Sequence, residues 1–183
     1  MILLCGKTAT GKDTIQKELI KMGYKSVVSY TTRPPRKGEV DGVTYNFISE
    51  EEFLKKESEG FFAETTSYNV ASGETWHYGA AIKDLTSDKV FIVNPEGLRQ
   101  IRKMKTLNPI AFYIMVEEET IWNRLRQRGD NSEEARRRLN ADDVDFSNII
   151  DNVDFSIRND LGLPPKEVAT IINSIYKKVG EYN

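Results

Sequence analysis

Cysteine and histidine are nearly missing from this chain. Its 183 residues hold one of each, Cys5 and His77. A lone thiol excludes an internal disulfide framework and any cysteine-cluster zinc site. A lone imidazole excludes paired-histidine metal motifs, and any Ser-His-Asp or Cys-His machine would depend on His77 alone. Long apolar runs are missing too. No stretch approaches the ~18 residues of a membrane span. The first apolar run, Ile2–Cys5, is too short for the core of a secretion signal. These absences predict a cytoplasmic protein with no membrane partner. Neither charge sign is in excess: 26 Lys+Arg stand against 28 Asp+Glu, net −2. That argues against a nucleic-acid partner. No Gly/Ser/Pro-rich linker divides the chain, and a length of 183 residues suits one domain.

What is present alternates. Ile2–Cys5 reads as a buried parallel strand. A helix from Gly11 to about Met22 follows, with Ile15 and Leu19 at helical spacing and Gly23 as its stop. Strands are expected at Lys25–Tyr30, Val43–Ile48, Gly60–Glu64, Lys89–Asn94, Pro109–Val116 and Asp154–Ile157. Ser49 with Glu52 forms a capping box opening a helix to about Ser58. Pro95 starts another helix, and Ser67–Glu74 reads as a mobile loop. Charged helices follow over Glu117–Arg128 and Ser132–Asp145. Pro164–Val179 is amphipathic, with Val168, Ile171, Ile172, Ile175 and Val179 on one face. This order predicts an α/β fold, a parallel sheet flanked by helices. Residues 29–79 break the alternation and read as an inserted mixed α/β subdomain. The remainder divides into a core at about 1–28, 80–122 and 146–183 and a helical lid at about 123–145.

Gly6-Lys7-Thr8-Ala9-Thr10-Gly11-Lys12 matches G-x-x-x-x-G-K between a buried strand and an amphipathic helix. Glycines let the backbone curl so that successive N–H groups face phosphate oxygens, and the helix offers its positive end to the same anion. Lys12 adds a full charge and is expected to be solvated without ligand. The motif expects Ser or Thr next, to hold Mg²⁺. Here Asp13 stands there, followed by Thr14. Either Asp13 approaches the cation, or it is a helix-start acid favoured by the dipole and Thr14 serves instead.

A second run, Ser29-Tyr30-Thr31-Thr32-Arg33-Pro34-Pro35-Arg36-Lys37-Gly38-Glu39, places Arg33 and Arg36 on a stiffened loop, a fork for another phosphate. Tyr45 can add a hydroxyl donor, and Glu39 can orient an arginine. Together with the phosphate loop, this run closely resembles guanylate kinases. The resemblance continues through Gly60–Glu64, Tyr78-Gly79, Arg124–Gly129, Arg138-Leu139 and Ile157–Asp160, covering essentially the whole chain.

The resemblance implies a phosphate-loop kinase that passes the γ-phosphate of ATP to GMP, and to dGMP, with Mg²⁺. It implies that residues 6–14 bind ATP, with Asn159 near its adenine. Arg33, Arg36, Tyr45 and Tyr78 would hold the acceptor phosphate, and Ser29 and Glu64 would read guanine. Lys12, Arg128 and Arg138 would stabilise the transferring phosphoryl group. A monomer or weak homodimer is expected.

Three departures touch acceptor recognition. Ile92-Val93-Asn94 stands where an Asp-x-Asp is usual, so Asn94 is left as an amide able to contact the base. Ala80 replaces a hydroxyl residue. The segment between Glu64 and Tyr78 is longer than usual, with Trp76 expected to pack and His77 to be exposed. They leave open a related phosphotransferase for another nucleoside monophosphate or a ribose bisphosphate. A non-catalytic binding module fits less well, because Gly6, Gly11 and Lys12 are intact.

Overall fold

The computed structural model describes residues 1–69, 73–104 and 106–181. Five parallel strands form one sheet. They are β1 (Ile2–Cys5), β2 (Lys25–Ser26), β7 (Lys89–Ile92), β8 (Ile110–Met115) and β9 (Phe155–Arg158), in the order β2-β7-β1-β8-β9. β1 is central and fully buried because its residues alternate between two apolar layers. Ile2 and Leu4 pack with Ile15 and Leu19 of α1 (Lys12–Lys21) and with Val168 and Ile172 of α6 (Pro165–Gly180). Leu3 and Cys5 face the opposite layer, with Leu98 and Ile101 of α3 (Pro95–Arg102). Burial pushes the Cys5 thiol up to about 12, so the lone cysteine is an inert core residue. Ile171 was expected on the inner face of α6 but is 41% exposed, because the buried stripe is narrower than the apolar pattern.

A second sheet has the order β4-β3-β6-β5. It comprises β3 (Tyr30–Thr31), β4 (Asn46–Phe47), β5 (Phe62–Asn69) and β6 (Thr75–Ala81), with α2 (Glu50–Ser58) alongside. Ser49 caps α2 by accepting from the Glu52 N–H at 3.1 Å. The expected strand Lys25–Tyr30 is split: its start pairs with β7 and its end pairs with β6. The chain there leaves one sheet for the other, which local pattern cannot reveal. Val43–Ile48 shortens to a two-residue strand.

The expected loop Ser67–Glu74 begins as strand. β5 runs to Asn69 and pairs antiparallel with β6, while residues 70–72 lie outside the described chain. Glu64, Thr66 and Tyr68 lie opposite Ala80, Tyr78 and Trp76 in this register. The other face meets α2, where His77 stacks on Phe53 at 5.2 Å and keeps only 15% of its side chain exposed. His77 is thus a packing residue rather than an exposed one. Trp76 is half-buried.

Two further helices, α4 (Glu118–Arg128) and α5 (Ser132–Asp145), form a pair at the C-terminal end of the parallel strands. They are joined through Gly129, at φ 77°. No helix among the described residues is long and apolar enough to cross a membrane.

Candidate active site

The phosphate loop connects β1 to α1. Its glycines are required by space. A Cβ on Gly6 would sit 2.7 Å from the Ile114 carbonyl oxygen and 2.8 Å from Thr10 Oγ1. Gly11 has φ +91°, and a Cβ there would meet Asn159 Nδ2 at 2.6 Å. Ala9 is left-handed at φ 56°, a conformation costing about 1 kcal/mol. Its carbonyl is held by Arg124 at 3.1 Å, and the same guanidinium reaches the Asn159 carbonyl at 2.5 Å. Asn159 Nδ2 donates to the Thr10 carbonyl at 2.8 Å. Arg124 and Asn159 therefore clamp the loop from outside.

Lys12 is not solvated as expected. Its ammonium donates to the carbonyls of Gly6 (2.6 Å) and Lys7 (2.7 Å), curling over the loop. Burial lowers its pKa, partly opposed by Asp13 and Asp142. Helix α5 reaches the same loop. Asp142 accepts from the Thr8 N–H at 2.5 Å, and Asp143 pairs with Lys7. A carboxylate thus sits on one of the N–H groups that a phosphate would use. Burial raises the Asp142 pKa.

Arg128 and Arg138 converge on one acid. Arg128 makes a two-point contact with Asp130 (2.6 and 2.5 Å), and Arg138 reaches Asp130 at 3.0 Å. These contacts, Arg128 first, pull the Asp130 carboxyl down to about 2. Arg138 Nε is buried without a hydrogen bond of its own, 3.4 Å from Glu134 Oε1, so the guanidinium lies between two acids.

Three cavities join into one cleft. The first, about 570 Å³, is lined by Thr8, Ala9, Gly11, Lys12, Asp13, Thr14, Arg124, Arg128, Arg138 and Asn159. The second, about 480 Å³, shares Thr8, Lys12 and Arg138 and adds Asp142, Tyr68 and Asn94. The third, about 320 Å³, shares Tyr68 and Asn94 and contains Ser29, Tyr45, Glu64, Thr66 and Tyr78.

Glu64 is buried at the base of that third cavity. Burial pushes its carboxyl up to about 7, opposed by hydrogen bonds from the Ala80 N–H and the Thr66 hydroxyl. Arg33 lies beside the cavity, only 4% exposed. Its fork is already filled by Glu39 (2.9 and 2.7 Å), and its face lies over the Tyr45 ring at 5.4 Å. Arg36 is exposed and does not line this cavity.

Sequence reasoning named Ser29, Tyr45, Glu64, Tyr78 and Asn94, which the fold brings together. It missed Arg124, Asp130, Asp142, Thr66 and Tyr68. Arg124 was detectable, being one helical turn before Arg128 on the same face. Asp142, Thr66 and Tyr68 depend on contacts distant in sequence, and Asp130 on the turn that brings α5 back beside α4.

A phosphate loop at the C-terminal end of the central parallel strand, a two-helix arginine-bearing cover and a second sheet with its own buried carboxylate define a nucleotide-binding phosphate-loop transferase. The family model for guanylate kinase matches residues 1–174. The guanylate kinase of Nitratidesulfovibrio vulgaris is 36% identical over 151 residues, covering 77% of this chain and 70% of that protein. That of Clostridioides difficile is 32% identical, covering 100% of this chain and 91% of its own. The crystal structure of guanylate kinase from Anaplasma phagocytophilum matches with a TM-score of 0.67 at 25% identity, over 97% of this chain and 84% of that one. The chain belongs to the guanylate kinase family.

Proposed function

We propose that this enzyme transfers the γ-phosphate of ATP directly to the phosphate of GMP, and of dGMP, across the three-part cleft, in the cytoplasm. The activity is that of a guanylate kinase, phosphorylation of GMP. In this reading α4 and α5 form a lid over about 123–145, and the second sheet, about 29–79, forms the acceptor subdomain. The observation carrying it is the continuity of the cleft from Lys12 to Glu64 through shared walls.

The loop N–H groups of residues 6–14 and Lys12 hold the donor phosphates. Asn159 and Arg124 keep that loop in shape. Arg128 and Arg138 carry the charge that stabilises the transferring group, and cations so placed can be worth ~10³–10⁵ in rate. Tyr45, Tyr78 and Arg33 position the acceptor phosphate, with Glu39 fixing the Arg33 plane. Arg36 reaches it only after the loop closes.

Glu64, as a carboxylate, accepts from both N1–H and the 2-amino group of guanine, while adenine would present it with a ring acceptor. Ser29 supports the base. No covalent intermediate is required, so the work is positioning, charge and exclusion of water.

Among the described residues no cluster of His, Cys, Asp or Glu could hold a metal by itself. Asp13 and the Thr14 hydroxyl line the donor cavity, which suits Mg²⁺, a cation that keeps waters and takes phosphate oxygens. Bound there, Mg²⁺ would neutralise charge between the donor phosphates.

The test is ADP release with GMP, dGMP, AMP, CMP and UMP on one preparation. GMP is expected to exceed AMP by at least ~10²-fold in kcat/KM, because a buried carboxylate facing an acceptor is left unpaired. A faster non-guanine acceptor would overturn the guanine reading and favour the related phosphotransferase.

A further inference from the structure

The elongated hairpin does more than lengthen the second sheet. Asn94 follows β7 and caps α3: its Oδ1 accepts from the Gly97 N–H at 2.7 Å. That contact settles the amide orientation, because a nitrogen there would face a donor. Both Nδ2 protons must then point toward the acceptor cavity. Neither is free. One donates to Thr66 Oγ1 at 3.2 Å and the other to the Tyr68 hydroxyl oxygen at 3.2 Å. Thr66 in turn donates a hydrogen bond from its hydroxyl to the Glu64 carboxylate. The chain of donors therefore runs from Asn94 through Thr66 to the guanine-reading carboxylate.

The second branch ends differently. The Tyr68 oxygen receives a proton from Asn94, so its own O–H is directed elsewhere. Its ring packs edge-on against Tyr78 at 5.7 Å. The residue is 51% exposed. It lines both the acceptor cavity and the cavity leading to Lys12 and Arg138.

We propose that Tyr68 is an acceptor-binding residue that donates its hydroxyl proton to the bound nucleoside monophosphate. In the same proposal Asn94 is a positioning residue that aims the Tyr68 and Thr66 protons and does not itself read the base. Burial raises the Tyr68 pKa, reinforced by the charges of Asp145 and Glu64 and opposed by Asn94, so the phenol keeps its proton near neutrality. Thr66 and Tyr68 thereby bring two hydroxyls to the cavity wall. The inference rests on the GMP reading given above.

The test measures kcat and KM for GMP and for ATP in wild type, Tyr68→Phe, Asn94→Ser and the double variant. Serine keeps an oxygen to cap α3 but removes both amide donors. Tyr68→Phe is expected to raise the GMP KM about fivefold, the loss of one neutral hydrogen bond, with the ATP KM unchanged within about twofold. Asn94→Ser should raise the GMP KM by a similar or larger factor. The double variant should be clearly less impaired than the product of the singles, because Asn94 acts partly through Tyr68. An unchanged GMP KM in Tyr68→Phe overturns the acceptor role. Fully multiplicative effects overturn the positioning role. Wild type inactive on GMP but active on another monophosphate removes the underlying reading itself, a result distinct from both.

Discussion

At the scale of single residues, burial sets the chemistry. Glu64 titrates near 7 in the fold against an ordinary 4.5. Its raised value means the folded state keeps the proton to higher pH than the unfolded chain. Stability is therefore fullest below about 4.5 and falls as pH rises through about 7, by roughly 3 kcal/mol in all. Glu64→Gln should remove this slope and raise Tm at pH 8, while lowering kcat/KM for GMP at least ~10-fold. Thermal melts from pH 5 to 8 check the first part. A steeper slope in the variant would contradict the burial account. The same titration predicts that the wild-type GMP KM rises as pH drops below about 7, because the protonated carboxyl loses one acceptor.

Lys12 belongs to this scale as well. Lys12→Ala should cut phosphoryl transfer by ~10³-fold or more. It should also cost about 1 kcal/mol of stability, because two loop carbonyls lose their donor. A melt unchanged from wild type would show that the ammonium does not brace the loop.

At the scale of elements, α5 is docked on the phosphate loop by its own acids. The Asp142 carboxylate holds the Thr8 N–H, and Asp143 holds Lys7. A nucleotide phosphate must displace the first contact. Asp142→Ala should therefore tighten ATP binding about three- to tenfold, since a charge-assisted hydrogen bond no longer competes. Calorimetry with ATP and no acceptor reads this directly, and weaker binding would mean that Asp142 supports the site rather than screening it.

Elements also mark where local pattern was adequate. A helix from Ser132 to about Asp145 is expected and found over Ser132–Asp145, because Asn131 provides a side-chain cap that fixes where it starts. The end of β5, Ser67–Asn69, falls within the expected loop Ser67–Glu74. Its polar residues hold their strand form through cross-strand pairing, to which periodicity is blind.

At the scale of the whole molecule, the cavity at the phosphate loop and the cavity at Glu64 are built on different sheets and meet through Lys12, Tyr68, Asn94 and Arg138. Transfer without hydrolysis demands that these parts close together. A compound joining adenosine and guanosine through a polyphosphate bridge should lower the radius of gyration and slow amide exchange across about 123–145. Binding that leaves both unchanged would argue that the cleft is already closed.

Local chemistry is legible in short runs of residues. Gly6, Gly11 and Lys12 lie within one short turn, so their spacing alone specifies a phosphate cradle. Arg33 and Glu39 are six residues apart on a proline-stiffened loop, and their pairing was legible there. The alternation of strands and helices likewise carried the parallel sheet, because each apolar period reports burial on one face or two. The tertiary structure alone decided which groups are free to act. Asp130 gathers Arg128 and Arg138, Asp142 covers Thr8, and Asn94 spends its amide protons on Thr66 and Tyr68. Those last contacts join residues up to 134 positions apart. A hydrogen bond depends on distance and direction in space, and only the folded chain sets either.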